Sequence, residues 1–157
     1  MTRGLTLSLS LALMTLVVGH AAGISWGGPA PTGVVVTFKT VDTGQTSGVR
    51  EPTEVVIRDA SAWGELWRRH AGARPAPTVD FGRDMVVAVF TGVSQDASGL
   101  WITRIVRESD RLTVYYALVD SKSVSVVQAA PPVLPFHIVR LPRTMAPVWF
   151  SVILTKR

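Results

Sequence analysis

Cysteine is absent from all 157 residues, and its absence excludes several kinds of chemistry. The chain can form no disulfide, no cysteine-ligated metal site and no thiol nucleophile. It also lacks the cysteine on which a bacterial lipoprotein carries its lipid. Stability must therefore come from the burial of apolar side chains, which is feasible for a domain of about 130 residues.

Charged residues are also few, and their balance is mildly basic. The chain has 16 Lys and Arg against 11 Asp and Glu, and without residues 1–23, which hold one basic residue and no acidic one, the net charge is 15 − 11 = +4. The arginines are scattered, apart from a short cluster at Arg68, Arg69 and Arg74. We therefore expect no nucleic-acid partner.

The longest uncharged apolar run, residues 5–18, is shorter than the roughly 20 residues that a membrane-spanning helix needs. Arg3 precedes this run, and Gly19, Ala21 and Gly23 follow it at the spacing that signal peptidase requires. We interpret residues 1–23 as a Sec-type signal peptide and residues 24–33 as a flexible leader. The sequence thus predicts a secreted or periplasmic protein with one domain at 34–157 and no membrane span after cleavage.

Short segments of strand character, bounded by turn residues, fill most of this domain. They lie at 34–39, 54–58, 85–91, 100–107, 111–119, 124–128, 136–141 and 148–154. The segment 85–90 is apolar on both faces, which predicts a strand at the centre of a sheet. The polar stretch 42–48 predicts a loop, and the short connection at 108–110 predicts a hairpin over 100–119.

A single helix is predicted between the second and third of these segments. It is capped by Asp59 or Ser61 and ends at Gly72, and the glycine inside it, Gly64, suggests close packing of the helix backbone. Its apolar face is formed by Trp63, Leu66, Trp67 and His70. The predicted fold is mainly β (α+β), an antiparallel β-sandwich or half-barrel with one N-terminal helix packed on it.

Residues for catalysis are scarce in the predicted mature domain. Its two histidines, His70 and His137, have no partner at metal-ligand spacing, and His137 is expected to face solvent or the second face of its strand. The nearest approach to a nucleophile elbow, at 92–96 around Ser94, lacks the final glycine. We therefore expect no enzyme, no metal and no cofactor.

Several short motifs in the second half occur in an order that resembles the PrcB C-terminal domain family. They are Val79-Asp80-Phe81, the strand at 85–90, Thr91-Gly92-Val93, Ser98-Gly99-Leu100-Trp101-Ile102 and the segment 135–142. The resemblance covers residues 55–150. It departs at Ser98-Gly99-Leu100, where many members have two glycines followed by an aromatic residue and this chain has its aromatic one position later.

The resemblance implies a secreted or periplasmic, β-rich, non-enzymatic module that binds a protein partner. The family takes its name from an accessory subunit of a bacterial surface protease complex, so the implied partner is an extracytoplasmic protein, with a protease as one candidate. The resemblance supplies no list of functional residues.

Two loop segments are the candidate contact surface, because loops on a rigid sheet commonly carry binding. One is the loop 92–99 with its continuation, and the other is the proline-rich segment 131–136. The predicted partner-binding residues are Gly99, Leu100, Trp101, Leu134, Pro135 and Phe136. The second segment could instead only connect two strands, with Leu134 in the core.

Two other functions stay open at this point. The first is binding of a small ligand or envelope polymer, with Trp26, Trp101 or Trp149 as stacking platforms. The second is a hydrolase whose dispersed site brings His137 together with a carboxylate and a serine.

Overall fold

The computed structural model describes residues 33–120 and 132–154. The predicted signal peptide, the leader up to residue 32 and the predicted strand at 124–128 lie outside these residues. The described elements are β1 (Val34–Val35), β2 (Lys39–Gly44), β3 (Thr53–Ile57), α1 (Ala60–Ala71), β4 (Asp84–Phe90), β5 (Ala97–Arg107), β6 (Leu112–Asp120), β7 (Phe136–Pro142) and β8 (Val148–Leu154). No helix within the described ranges has the length and apolarity needed to span a bilayer.

The strands form two four-stranded sheets, and the mainly β prediction is confirmed. The first sheet has the order β1-β5-β6-β8, and the second has the order β2-β7-β4-β3. β6 and β8 run parallel, whereas the other paired strands are antiparallel. β5 and β6 form the predicted hairpin, closed by a hydrogen bond from the Glu108 N–H to the Arg111 carbonyl.

β4 lies between two separate hydrophobic clusters, as its apolar sequence predicts. Val86, Ala88 and Phe90 point to the cluster that contains α1, and Met85, Val87 and Val89 point to the cluster shared with the first sheet. The second sheet is therefore buried on both faces, with the helix on one side and the first sheet on the other. This arrangement has three layers, and it supplies the burial that a cysteine-free domain needs.

Helix α1 matches its prediction at both ends and on its buried face. The Asp59 carboxylate accepts a hydrogen bond from the Ala62 N–H at 2.9 Å, and Gly72 ends the helix with φ +63°. The buried residues are Trp63, Leu66, Trp67 and His70. The expectation of close packing at Gly64 is wrong, because a Cβ at this position would have no atom within 4 Å.

Two predictions for the first residues of the domain are also corrected. The single strand expected at 34–39 is divided between β1 in the first sheet and β2 in the second, and Val36 and Phe38 between them pack on the inter-sheet core. The loop expected at 42–48 begins only after Gly44, because β7 pairs with the polar end of β2. Tertiary pairing overrides the local polar pattern here.

Two glycines give a matched test of this fold. Gly64→Ala should stabilise the protein by about 1 kcal/mol, because alanine lowers the free energy of a helix interior and the space is open. Gly92→Ala should destabilise it by more than about 1 kcal/mol, because φ is +69° and the added Cβ would lie 2.6 Å from the Arg50 carbonyl oxygen. Urea unfolding measures both changes, and a destabilising Gly64→Ala would contradict the open helix face.

Candidate functional site

The structure brings the two predicted contact segments together at one end of the sandwich. Gln45 joins them, since its side-chain amide donates to the Ser98 carbonyl at 2.6 Å and its own carbonyl accepts from the Leu134 N–H at 2.9 Å. Ser94 and Val133 also form an isolated antiparallel bridge. Neither sequence separation nor periodicity indicates the role of Gln45.

Most of the predicted contact residues support the fold. Leu100, Pro135 and Phe136 are buried in the core, and Gly99 and Leu134 are half-buried. The expectation that Leu100, Pro135 and Phe136 form a contact surface is corrected. Leu100 and Phe136 point inward from paired strands, and Pro135, which precedes β7, is buried as well. Trp101, which is 49% exposed, is the member of the set that presents a large surface.

Trp101 lies at an open stretch of the β5 edge, beyond the short pairing with β1. Its neighbours Leu100 and Ile102 enter the inter-sheet core, so Trp101 belongs to the opposite, outer side of the strand. The indole also meets the His137 ring edge-on, with 5.9 Å between the ring centroids. Trp101 therefore covers a buried histidine with one part of its ring and faces solvent with the other.

His137 is buried, so of its two expected positions, solvent or the second face of its strand, the second is confirmed. The second face of β7 is the inter-sheet layer, and the ring connects the two sheets there. Nδ1 accepts a hydrogen bond from the Ile102 N–H at 2.8 Å, so the neutral ring carries its proton on Nε2, which donates to the Thr40 hydroxyl at 2.9 Å. Burial lowers the pKa of His137. Neither ring nitrogen contacts the carboxylate or serine that a hydrolase site at His137 requires.

His70 forms a polar chain that the sequence did not predict. Its Nε2 lies 3.1 Å from the Asp42 carboxylate and therefore carries a proton, while Nδ1 accepts from the Ser47 hydroxyl at 2.9 Å. Ser47 in turn accepts from the Val49 N–H. Burial lowers the pKa of His70, against the opposing effect of the Asp42 hydrogen bond.

The hydrogen-bonded series Ser47–His70–Asp42 contains the three residue types of a hydrolytic triad, but its surroundings are those of a structural contact. Ser47 is only 9% exposed, and the His70 ring packs edge-on against Phe136 with 4.3 Å between centroids. The backbone N–H groups after Ser47 are also engaged, since Gly48 donates to the His70 carbonyl and Val49 donates to Ser47 itself. They cannot serve as oxyanion donors in this arrangement. These hydrogen bonds hold β2 and the loop after it against the end of α1.

Several exposed apolar side chains lie on one broad surface, the outer face of the first sheet. Along β6, the residues that alternate with the core side chains point outward, and their partners on β8 do the same. We define the outer face by Trp101, Tyr115, Ala117, Val119, Trp149, Ser151 and Ile153. Trp149, Val119 and Ile153 are 59%, 43% and 41% exposed. A solvated sheet face is normally polar, so this composition is unusual.

Arginine side chains lie across the outer face. The guanidinium of Arg104 is 4.8 Å from the centre of the Tyr115 ring, and that of Arg111 is 5.6 Å from the centre of the Trp149 ring. Arg111 is paired with Glu108 and Asp110. Arg104 has no carboxylate partner within residues 33–120 and 132–154, and its Nε has no hydrogen-bond acceptor there. Within the described ranges, the outer face therefore combines apolar area with a cation, Arg104, that no carboxylate compensates.

Comparison with protein-family models, with curated proteins and with solved structures gives no match. The resemblance to the PrcB C-terminal domain family accordingly stays a prediction. In the described part of the chain, no three side chains of His, Asp or Glu come together as a metal-binding group.

The two buried histidines predict a pH-dependent stability. Their pKa values are lowered in the folded state, so the unfolded chain takes up protons first as the pH falls through about 6.5. The free energy of unfolding should be flat above about pH 7.5 and should then decrease by up to about 1.4 kcal/mol per pH unit for each histidine. Urea unfolding of the untagged mature domain between pH 8 and pH 5 measures this slope.

His137→Asn provides the control for this slope. The asparagine carbonyl can still accept from the Ile102 N–H, but the side chain no longer titrates. The slope between pH 7 and pH 5 should become about half as steep. An unchanged slope would show that His137 is not held in its neutral form.

Proposed function

We propose that this chain is an exported, non-enzymatic module that binds another extracytoplasmic protein through the outer face of its first sheet. The observation that carries the proposal is the contiguous apolar surface on a sheet that is already supported from behind by the second sheet. A rigid, partly aromatic surface loses little conformational entropy on docking. Contiguous apolar surfaces of this kind mark sites of protein association.

The charge on this surface indicates the chemistry of the partner. Arg104 is stacked on Tyr115 and lacks a carboxylate partner within the described ranges. A partner that presents apolar side chains around an Asp or Glu would complement it. The predicted signal peptide and the family resemblance support an extracytoplasmic partner, and they make a protease the first candidate.

A small aromatic ligand fits this surface less well. Trp101 pairs with Ala117 and Trp149 pairs with Thr113, so they are two strands and four residues apart. Strand spacing and rise place them on the order of 16 Å from each other. They cannot clamp one small ligand between them, whereas a protein surface can contact both.

Two substitutions on β5 test the proposed contact. Trp101→Ala removes apolar area and Arg104→Glu reverses the uncompensated charge, so each should weaken partner binding by at least about tenfold. The partner is first identified by crosslinking the tagged protein in its native envelope. It is then purified and titrated against each variant by calorimetry.

Met145→Ala is the matched control, because Met145 is 77% exposed but lies in the loop between β7 and β8. It should leave the affinity unchanged. Urea unfolding confirms that each variant is folded. If Trp101→Ala and Arg104→Glu both bind the partner as tightly as the wild type, the outer face is not the contact surface. If the identified partner is not a protease, only the suggestion of a protease partner is refuted, and the proposed contact surface still stands.

The structural interpretation of the Ser47–His70–Asp42 chain has its own test. A fluorophosphonate probe, which reacts with activated serine nucleophiles, should leave Ser47 unmodified, because the hydroxyl is buried and nearby amides are engaged. Intact-mass spectrometry before and after incubation measures the modification. Labelling that disappears in Ser47→Ala would instead establish a hydrolase.

A further inference from the structure

The edge strand β8 has none of the features that keep sheet edges from pairing. Its sequence, Val-Trp-Phe-Ser-Val-Ile-Leu, has no charge, no proline and no glycine. It pairs with β6 over seven consecutive residues without a register shift. Among the described residues, no strand pairs with its other edge. A long, regular and apolar edge of this kind is a template for another strand.

The other sheet edges in the described part of the chain are protected. The open stretch of β5 carries Arg104 and shifts register between Ala97 and Gly99 and between Ile102 and Arg104. β1 has two residues, which is too short to template a strand. β2 carries Lys39 and Asp42 and is irregular between Thr40 and Asp42. β3 has five residues and carries Glu54. Short length, charge and bulges are the usual protections of edge strands, and β8 is the exception.

We propose that β8 pairs with β8 of a second copy of this chain, antiparallel and about a two-fold axis at Ser151. In this register, Ser151 of one copy lies opposite Ser151 of the other. Trp149 of each copy lies opposite Ile153 of the other, and Phe150 lies opposite Val152. The two sheets become one eight-stranded sheet across the dimer.

Self-pairing gives the apolar side chains on both faces of β8 apolar cross-strand neighbours. Trp149 and Ile153, which are 59% and 41% exposed, lie on the outer face and meet across the two-fold axis. Val152, which is 44% exposed although it follows the inward alternation of β8, meets Phe150. Aromatic and β-branched residues are favourable cross-strand partners. The register therefore places Trp149, Val152 and Ile153, which the single chain leaves exposed, opposite apolar partners.

Charge favours a second copy over a charged partner strand. β8 offers no charged side chain that could select an acidic or a basic strand. Two copies of the mature domain can approach here despite its net charge of 15 − 11 = +4, because the strand puts no like charges opposite each other. Self-association is compatible with the proposed function, although both use Trp149, Ser151 and Ile153, since the outer faces of both copies stay on the same side of the joined sheet.

Sedimentation of the mature protein over a wide concentration range tests the proposal. The wild type should be dimeric at micromolar concentration, and Ser151→Lys should raise the dissociation constant at least about 100-fold, because the two lysines lie directly opposite each other. Val35→Lys is the control. It adds the same charge at an exposed position on β1, at the opposite edge of the same sheet, and should remain dimeric.

A mixture of charge variants tests the two-fold register itself. Ser151→Lys and Ser151→Glu should each be monomeric alone and should form a heterodimer when mixed, because only this register puts residue 151 opposite residue 151. Recovery on mixing also shows that both variants are folded. A monomeric wild type, a dimeric Ser151→Lys, or a mixture that stays monomeric would each overturn the proposal. None of these results depends on whether a heterologous partner binds Trp101.

Discussion

Strand β4 carries apolar side chains on both faces, and the other elements are arranged to cover them. α1 covers Val86, Ala88 and Phe90, while the first sheet covers Met85, Val87 and Val89. A chain without cysteine has no covalent means of holding layers together, so this double burial is the main source of stability. It also fixes the second sheet as the middle layer, which leaves the first sheet with one face in the core and the other outside.

Two buried histidines join these layers at their margins. His137 connects the second sheet to the free edge of β5 through the Ile102 N–H, which has no strand partner at that point. His70 connects the end of α1 to β2 through Asp42 and to the loop after β2 through Ser47. The His137 ring satisfies an N–H that the strand ladder leaves unpaired, and the His70 ring pairs with the Ser47 and Asp42 side chains. Each ring must be neutral to do so in its present tautomer. The buried polar side chains therefore serve to hold the layers together through hydrogen bonds.

The same layering explains where binding can occur. The middle sheet and the helix use their apolar residues internally, whereas the first sheet keeps Trp101, Trp149 and Ile153 outside. The edge of that sheet at β8 is also its least protected one. Both proposed interactions, with a partner protein and with a second copy, therefore involve one sheet. The partner binds its outer face and the second copy binds its β8 edge, and Trp149, Ser151 and Ile153 belong to both.

Local pattern in the sequence was sufficient for the β-rich class, for α1 with its buried stripe and caps, and for β4 at the centre of a sheet. These features are local, because alternation and helical spacing record which side of an element is buried. The tertiary structure alone decided that residues 34–39 serve two sheets, that Phe136 and Leu100 are core residues, and that His70 meets Ser47 and Asp42. These outcomes depend on pairings between distant segments, such as β2 with β7 across more than ninety residues. Alternation with a period of two shows on which face of a strand a residue lies. It does not show which elements pack against that face, and those elements decide whether the residue is exposed or buried in the core.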